Sequence, residues 1–154
     1  WGGVQDSTVF LDENNLRMLG NFRNNFGRLA ETLINEGKMD SARVVLDRCM
    51  EIMPHKRVPF DYFMLQIIEN YYRLGNNEIA TQCVIQLSDV TSEELRYFLG
   101  SDLEFRESLD YELQLRMHIM QELVSITERY GQKEINEKQL EIFQEFVNLY
   151  SLNS

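Results

Sequence analysis

The stretch GKMDSARVVLDRCMEIMP, from Gly37 to Pro54, has the pattern of a turn followed by a helix. Gly37 favours the left-handed conformation that ends a preceding helix, and Pro54 stops the helix that follows. The small and apolar residues between them recur at helical spacing and form one stripe: Ala42, Leu46, Cys49 and Ile52 or Met53. The stretch therefore predicts a glycine turn and the second helix of a helical hairpin.

The residues before Gly37 supply the first helix of that hairpin. Its expected facing stripe consists of Phe26, Leu29, Ala30 and Leu33. Read together, the two helices give an aromatic, a leucine, a small residue, a turn glycine, an alanine, a second small residue and a proline. This order resembles the tetratricopeptide repeat at nearly every diagnostic position.

The same pattern recurs further along the chain. A second copy has its turn at Gly75 and its alanine at Ala80, 38 residues after Ala42, where the usual period is about 34. Its remaining apolar positions are Met64, Ile67, Ile68, Tyr71, Val84 and Leu87. The linker of residues 55–59 accounts for the extra length, with Pro59 opening the next helix. A third, degenerate copy surrounds Gly131, with Met120, Leu123 and Val124 before the turn and Leu140 and Phe143 after it, and it carries Asn136 where the alanine is expected.

The predicted organisation follows from these repeats. Residues 1–11 are an extended lead-in, and residues 12–154 form one helical domain whose first helix is capped by Asp12. The repeats cover about 23–56 and 61–90, and residues 91–154 form a helical cap, within which Thr91 and Ser101 each begin a capping-box pattern. A long helix from Asp102 to Tyr130 and a last helix capped by Asn136, with an apolar stripe through Leu140, Phe143, Val147 and Tyr150, complete it. No alternating strand pattern occurs, so the predicted class is all-α: tetratricopeptide-like hairpins in a right-handed α-solenoid arrangement with a C-terminal helical cap.

Charge and composition exclude several classes of partner. The formal net charge is -10, and residues 88–128 alone hold ten acidic and three basic side chains, which argues against binding nucleic acid or anionic membranes. The chain begins at Trp1 without a signal peptide or a long apolar run, so we expect a soluble piece of a longer protein that is not itself inserted in a membrane.

No residue pattern predicts catalysis, a metal or a cofactor. His118 and Glu122 lie four residues apart on one helix, but too few other ligands accompany them for a metal site. The acidic pairs are better explained as solvated helix faces than as acid/base dyads. We expect Cys49 and Cys83 to be buried free thiols. A disulfide between them is the alternative, because the sequence does not give the distance between the two residues.

A closer resemblance covers most of the chain and is strongest from Phe10 to Gly75. The segments FLDENNLRM, FRNNFGRLAETLINEGK, MPHKRVPFDYFM and YYRLG resemble the C-terminal region of the domain of unknown function 2723 family. That family comprises polytopic membrane proteins of Bacteroidetes that are similar to protein O-mannosyltransferases. The resemblance implies a domain that follows the last span of an inner-membrane protein and faces the periplasm. Because the catalytic carboxylates of such enzymes lie in the membrane half, the resemblance assigns no catalytic residue to this chain and leaves the activity of the parent open.

The remaining candidate site is the concave face that first helices line in tetratricopeptide folds. Carried over by register, its exposed residues are Asn24, Glu31, Ile34 and Asn35 from the first hairpin and Tyr62, Leu65, Glu69, Tyr72 and Arg73 from the second. Packing against the long acidic helix or the flanking cap is an equally good explanation of this set. The lysine and asparagine clamp for a C-terminal carboxylate is missing, because Gly27 and Glu31 stand at its positions.

Three functions remain as hypotheses. The first is a non-catalytic helical repeat domain that binds a protein segment or the membrane half of its own parent chain. The second is an accessory domain that contributes carbohydrate or acceptor binding to the parent's glycosyl transfer, with Tyr72 stacking on a sugar and Glu69 and Arg73 bonding its hydroxyls. The third is a structural spacer or dimerisation unit.

Overall fold

The computed structural model describes residues 13–102, 104 and 108–153, and this part of the chain is helical with no strand. Its helices are α1 (Glu13–Asn35), α2 (Met39–Ile52), α3 (Met64–Arg73), α4 (Asn77–Leu99), α5 (Asp110–Arg129) and α6 (Lys133–Asn153). The predicted all-α class is confirmed. The predicted lead-in and the predicted cap at Asp12 lie outside the described residues.

The chain divides into two compact units, residues 1–83 and residues 84–154, and α4 contributes to both. The units differ in charge. The first carries 11 acidic and 9 basic residues, whereas the second carries 14 acidic and 6 basic residues.

None of the helices within the described ranges is long and apolar enough to cross a membrane.

Three glycine turns of one design join α1 to α2, α3 to α4 and α5 to α6. Gly37, Gly75 and Gly131 have φ values of 80°, 80° and 68°. At the first turn the Gly37 N–H donates to the Ile34 carbonyl and the next N–H reaches back to Leu33, at 3.0 and 2.8 Å. The other two turns repeat both bonds at the same offsets. This is the Schellman arrangement, in which a left-handed residue lets main-chain N–H groups satisfy the last carbonyls of a helix.

Replacing Gly75 by alanine isolates the cost of this turn. A Cβ atom there would meet nothing within 4 Å, so the penalty is conformational and should be about 1 to 1.5 kcal/mol in the free energy of unfolding. Gly75→Asn is the matched control, because asparagine tolerates left-handed backbone better and should cost less. Urea denaturation of the two variants measures the difference, and equal losses would contradict the conformational explanation.

The first unit buries the small and large residues that the repeat pattern assigns to its core. Ala42, Leu46 and Cys49 of α2 are no more than 1% exposed, and so are Met64, Ile67, Ile68, Tyr71 and Ala80 of the second hairpin. Helix α1 packs against both α2 and α3. The assignment of Leu29 to the core is wrong, because its side chain is 50% exposed. Leu29 lies on the side of α1 away from α3, whereas Ile67, 38 residues later, is buried against the rest of the unit.

The linker between α2 and α3 is organised around one buried arginine. Arg23 of α1 is 0% exposed and donates to the carbonyls of Met53, Pro59 and Val58 at 3.1, 3.1 and 2.9 Å. Its guanidinium also lies 5.2 Å from the centre of the Phe60 ring. Because Pro59 is held in this linker, it does not open the next helix as predicted, and α3 begins only at Met64.

Two side chains of the linker complete the arrangement. The Asp61 carboxylate lies 3.4 Å from Arg23 Nη1 and accepts the Phe63 N–H at 3.0 Å, just before α3. His55 Nδ1 accepts the Phe60 N–H at 3.0 Å, and the two rings are in contact. Burial raises the pKa of Asp61 above its usual range, although the Arg23 charge acts in the opposite direction.

Two helix starts that the sequence predicts for the second unit differ from those in the structure. Thr91 does not begin a helix, because α4 continues unbroken through it and no glycine or proline interrupts the chain from Asn77 to Leu99. Helix α5 begins at Asp110 rather than at Asp102. Arg116 joins α4 to α5: its guanidinium pairs with Glu94 and Glu112, both at 2.6 Å, and lies 4.9 Å from the Phe98 ring centre.

The buried face of α6 also differs from the predicted stripe. Leu140 is 47% exposed, whereas Ile135, Gln139 and Phe146 are buried. The side chain of Asn136 explains the rotation, because its amide donates to the Val124 carbonyl at 2.8 Å and to Thr127 Oγ1 at 3.1 Å. Asn136 therefore turns its own side of α6 toward α5, and it lies inside the helix rather than capping it.

Candidate interaction surface on the first unit

Two polar rows run side by side along the first unit and share one register. The first row, on α1, consists of Asn24, Arg28, Glu31 and Asn35, and the second, on and just before α3, consists of Tyr62, Gln66, Glu69 and Arg73. Each residue of the second row lies 38 positions after its counterpart, which is also the separation of Gly37 and Gly75. All eight side chains are exposed or half-buried. We call these eight residues the polar face.

Glycines allow α1 and α3 to approach closely beneath this face. A Cβ atom on Gly20 would lie 3.3 Å from the Phe63 ring, and one on Gly27 would lie 3.0 Å from Gln66 Oε1. The buried Asn70 amide donates to the Gly27 carbonyl at 2.9 Å. Contacts advance together along both helices, so α1 and α3 run in the same direction.

Hydrogen bonds between the two rows fix the polar face. Gln66 Nε2 donates to Glu31 Oε2, and Arg73 Nη2 donates to Asn35 Oδ1 at 2.8 Å. The second bond is exposed and contributes little to stability, since water competes for both partners. The two bonds nevertheless orient two amides, a carboxylate and a guanidinium on the same surface.

Six of the predicted binding residues belong to the polar face, and the others do not. Asn24, Glu31, Asn35, Tyr62, Glu69 and Arg73 lie on it. Ile34, Leu65 and Tyr72 are only 5%, 9% and 4% exposed, so the prediction that they are exposed is wrong. The Tyr72 hydroxyl hydrogen-bonds to Thr81 Oγ1 at 2.8 Å, and burial raises the pKa of Tyr72. Each of the three lies one position away from a residue of the polar face, on the side that turns toward the core.

Sequence reasoning missed Arg28 and Gln66, which occupy equivalent positions in the two rows. The signal that could have found them is the helical spacing itself. From Asn24 and Tyr62, steps of four, seven and eleven residues keep to one side of a helix and select Arg28 and Gln66. The prediction took its positions from the tetratricopeptide register and selected neighbouring residues instead of these two.

The polar face offers hydrogen bonds of both kinds with little net charge. Arg28 and Arg73 supply donors, Glu31 and Glu69 supply acceptors, and the Tyr62 ring, 41% exposed, meets Phe63 edge-on at one end. Such a surface suits a polar chain segment that places one apolar group against Tyr62, because every main-chain amide presents both a donor and an acceptor.

The third hairpin carries a row in the same register. His118, Glu122, Ser125 and Arg129 of α5 lie 56 positions after the residues of the second row, the separation of Gly75 and Gly131. Each is exposed or half-buried. Neither in this row nor elsewhere in the described part of the chain are three histidine, cysteine or acidic residues grouped so that they could hold a metal ion.

The two cysteines are free and lie in the core of the first unit. Burial raises the pKa of Cys49 to about 11 and that of Cys83 to about 12. Both thiols are therefore protonated at neutral pH, and neither has the character of a nucleophile.

We compared the chain with protein-family models, with curated proteins and with solved structures, and none of the three comparisons gave a significant match.

Proposed function

We propose that this chain is a non-catalytic helical repeat domain of the tetratricopeptide-like type that binds a protein segment through the polar face. The observation that carries the proposal is the common register of the polar rows and glycine turns. A shared register gives successive first helices the same exposed side, which is how repeat proteins build an extended binding surface. The right-handed solenoid arrangement with a helical cap is part of the same proposal.

The context of the domain rests on the resemblance alone. We propose that the chain lies at the C-terminus of a membrane glycosyltransferase-like protein and faces the periplasm. Its partner would then be another protein or the membrane half of its own parent. The net charge of -10 supports a protein partner over nucleic acid.

The carbohydrate-binding alternative has less support. It relied on stacking of a sugar against Tyr72, but that ring is 4% exposed and its hydroxyl is engaged with Thr81. The one exposed aromatic ring of the polar face is Tyr62, which lies at its end. A protein segment uses the whole length of the face, whereas a single sugar does not.

Double substitution of Tyr62 and Arg73 by alanine tests the proposal. Both side chains are exposed, so the fold should persist while binding to the polar face falls about tenfold or more, as expected when binding-site side chains are truncated. The immobilised chain would capture partners from a membrane extract of the source cells, with quantitative mass spectrometry as the readout.

The matched control is Tyr97→Ala, which removes a tyrosine that is 67% exposed in the second unit. Capture should be unchanged in this variant. A partner that is captured equally by the double variant and by the control would exclude the polar face as its binding site. Circular dichroism of each variant checks that the helices are retained.

A further inference from the structure

The second unit contains an open cleft of about 350 Å³ between α5 and α6. It is lined by Gln114, Met117, His118 and Gln121 of α5 and by Phe143 and Tyr150 of α6. Met117 and Phe143 are half-buried and supply its apolar surface. At one end the Asp110 carboxylate accepts from Gln114 at 2.9 Å and from the Tyr150 hydroxyl at 3.3 Å, which ties the two helices together. The cleft is therefore a formed feature with an apolar floor and a polar rim.

The register of the hairpins indicates what kind of element fits this cleft. Gly131 lies 94 positions after Gly37, and the same offset relates Gln114, Met117 and Gln121 to Gly20, Arg23 and Gly27. In the first unit these three positions of α1 are covered by the linker and α3: Gly20 faces Phe63, Gly27 faces Gln66, and Arg23 is buried. The cleft thus lies on the side of α5 that, on α1, carries a parallel helix.

The residues at these positions also restrict how a helix would bind. Glycines let α3 approach α1 closely, but Gln114 and Gln121 extend from α5 and hold another backbone farther away. A helix on this side must therefore reach between the glutamines with long apolar side chains, and the floor formed by Met117 and Phe143 is suited to receive them.

The charge of the second unit favours some of these helices over others. The second unit has 14 acidic and 6 basic residues, and Arg116 and Lys138 are already paired with glutamates of the same unit. Asp110 lies at one end of the cleft, and Glu122 lies one helical turn after His118. This excess of negative charge attracts basic partners and repels acidic ones.

We propose that the cleft binds a basic amphipathic helix of a partner protein, parallel to α5, with its apolar side chains between Met117 and Phe143. The test uses two fluorescent synthetic helices with leucines at positions i, i+3, i+4 and i+7. One carries lysines at the remaining positions, and the other carries glutamates. Titration of the whole chain by fluorescence anisotropy should give saturable binding of the basic helix, and binding of the acidic helix at least about tenfold weaker.

Met117→Gln tests the site without changing charge or side-chain length. It should weaken binding of the basic helix about tenfold, because the apolar floor becomes polar. The matched control is Leu140→Gln, which makes the same kind of change at a residue that is 47% exposed on α6 and outside the cleft, and it should leave the affinity within about twofold. Equal effects of the two variants, or failure of both helices to saturate, would overturn the proposal.

A second measurement needs no variant. With methyl-labelled methionine, the basic helix should shift the methyl resonance of Met117 and leave that of Met39, which is 45% exposed in the first unit, unchanged. The double variant of Tyr62 and Arg73 separates this proposal from the polar face. It should bind the basic helix normally, and loss of that binding would count against the cleft.

Discussion

Replacement of Arg23 by methionine is expected to lower the free energy of unfolding by about 3 kcal/mol, the lower end of the range for breaking a buried ion pair. The substitution keeps an unbranched side chain but removes the donors that the carbonyls of Met53, Val58 and Pro59 share. It also leaves the Asp61 carboxylate without the positive charge that lies beside it. We take the lower end because the Asp61 side chain is 38% exposed, so water screens part of the interaction.

The matched control for this prediction is Arg28→Met. Arg28 lies five residues later on α1 and is exposed. Its replacement should lower the free energy of unfolding by less than about 0.5 kcal/mol. Urea denaturation of the whole chain, followed by circular dichroism, gives both values. Equal losses in the two variants would mean that Arg23 does not hold the linker.

The stability that Arg23→Met removes should also depend on pH. The folded-state pKa of Asp61 is raised, so the stability that its protonation contributes is fully present below the unfolded-state value and is lost as pH rises through the folded-state pKa. Without Arg23 the pKa of Asp61 rises further, because the arginine charge lowers it. The variant should therefore be closest to the wild type in acid and fall behind as the carboxyl group ionises. A penalty that grows toward low pH would contradict this sign.

Replacement of Gly27 by leucine is expected to cost about 2 to 3 kcal/mol. Gly27 lies on α1 and is buried where this helix meets α3. Even a Cβ atom there would lie 3.0 Å from Gln66 Oε1. A leucine side chain cannot fit there without separating the helices. Overpacking of this kind typically costs about 1 to 3 kcal/mol, and the short Cβ distance places Gly27→Leu in the upper part of that range. The separation should also break the hydrogen bond from Asn70 to the Gly27 carbonyl.

Gly27→Ala is the matched control and should behave differently. Its Cβ would meet the Gln66 side chain, with Oε1 at 3.0 Å and Cδ and Cγ at 3.4 Å, and this side chain can shift by a few tenths of an ångström. Alanine is also favoured over glycine in a helix by about 1 kcal/mol. Its expected stability lies between no change and a gain of about 1 kcal/mol. Thermal and urea unfolding of the two variants measures this contrast, and a loss for alanine as large as that for leucine would show that the interface tolerates no side chain at all.

The sequence was sufficient to predict the helical class and the core of the second hairpin. Glycine followed five residues later by alanine marks a turn and the start of a helix, and this local signal predicted the turns at Gly37 and Gly75. Tyr71 and Ala80 are buried as predicted, because the apolar spacing of a helix enclosed on several sides is unambiguous.

The failures have physical causes that local patterns do not contain. Leu29 has the residue type of a core position, but no helix in the described part of the first unit covers that side of α1. Thr91 satisfies a capping pattern without starting a helix, because a cap requires the chain to change direction and nothing at Thr91 interrupts α4. Arg23 stands between apolar positions at helical spacing and was passed over, since its partners are carbonyl groups of a linker more than 25 residues away.

Only part of the candidate surface was predicted, because exposure also depends on contacts that local sequence patterns do not contain. Register alone identifies six residues of the polar face, but whether a tyrosine points outward depends on neighbours that sequence does not reveal. Tyr62 and Tyr72 were both predicted to be exposed, yet only Tyr62 is. The distinction comes from Thr81 and the helix that carries it, which enclose Tyr72.

The glycine turns have a consequence for how such a chain can diverge. Each turn is closed by main-chain hydrogen bonds and requires only one residue in the left-handed conformation, so it places no demand on the distance to the next turn. The interval grows from 38 residues between the first two turns to 56 between the second and third. Selection can therefore lengthen a helix or a linker between hairpins without disturbing the hairpins themselves. A lineage evolving in this way would lose its sequence period long before it lost its architecture.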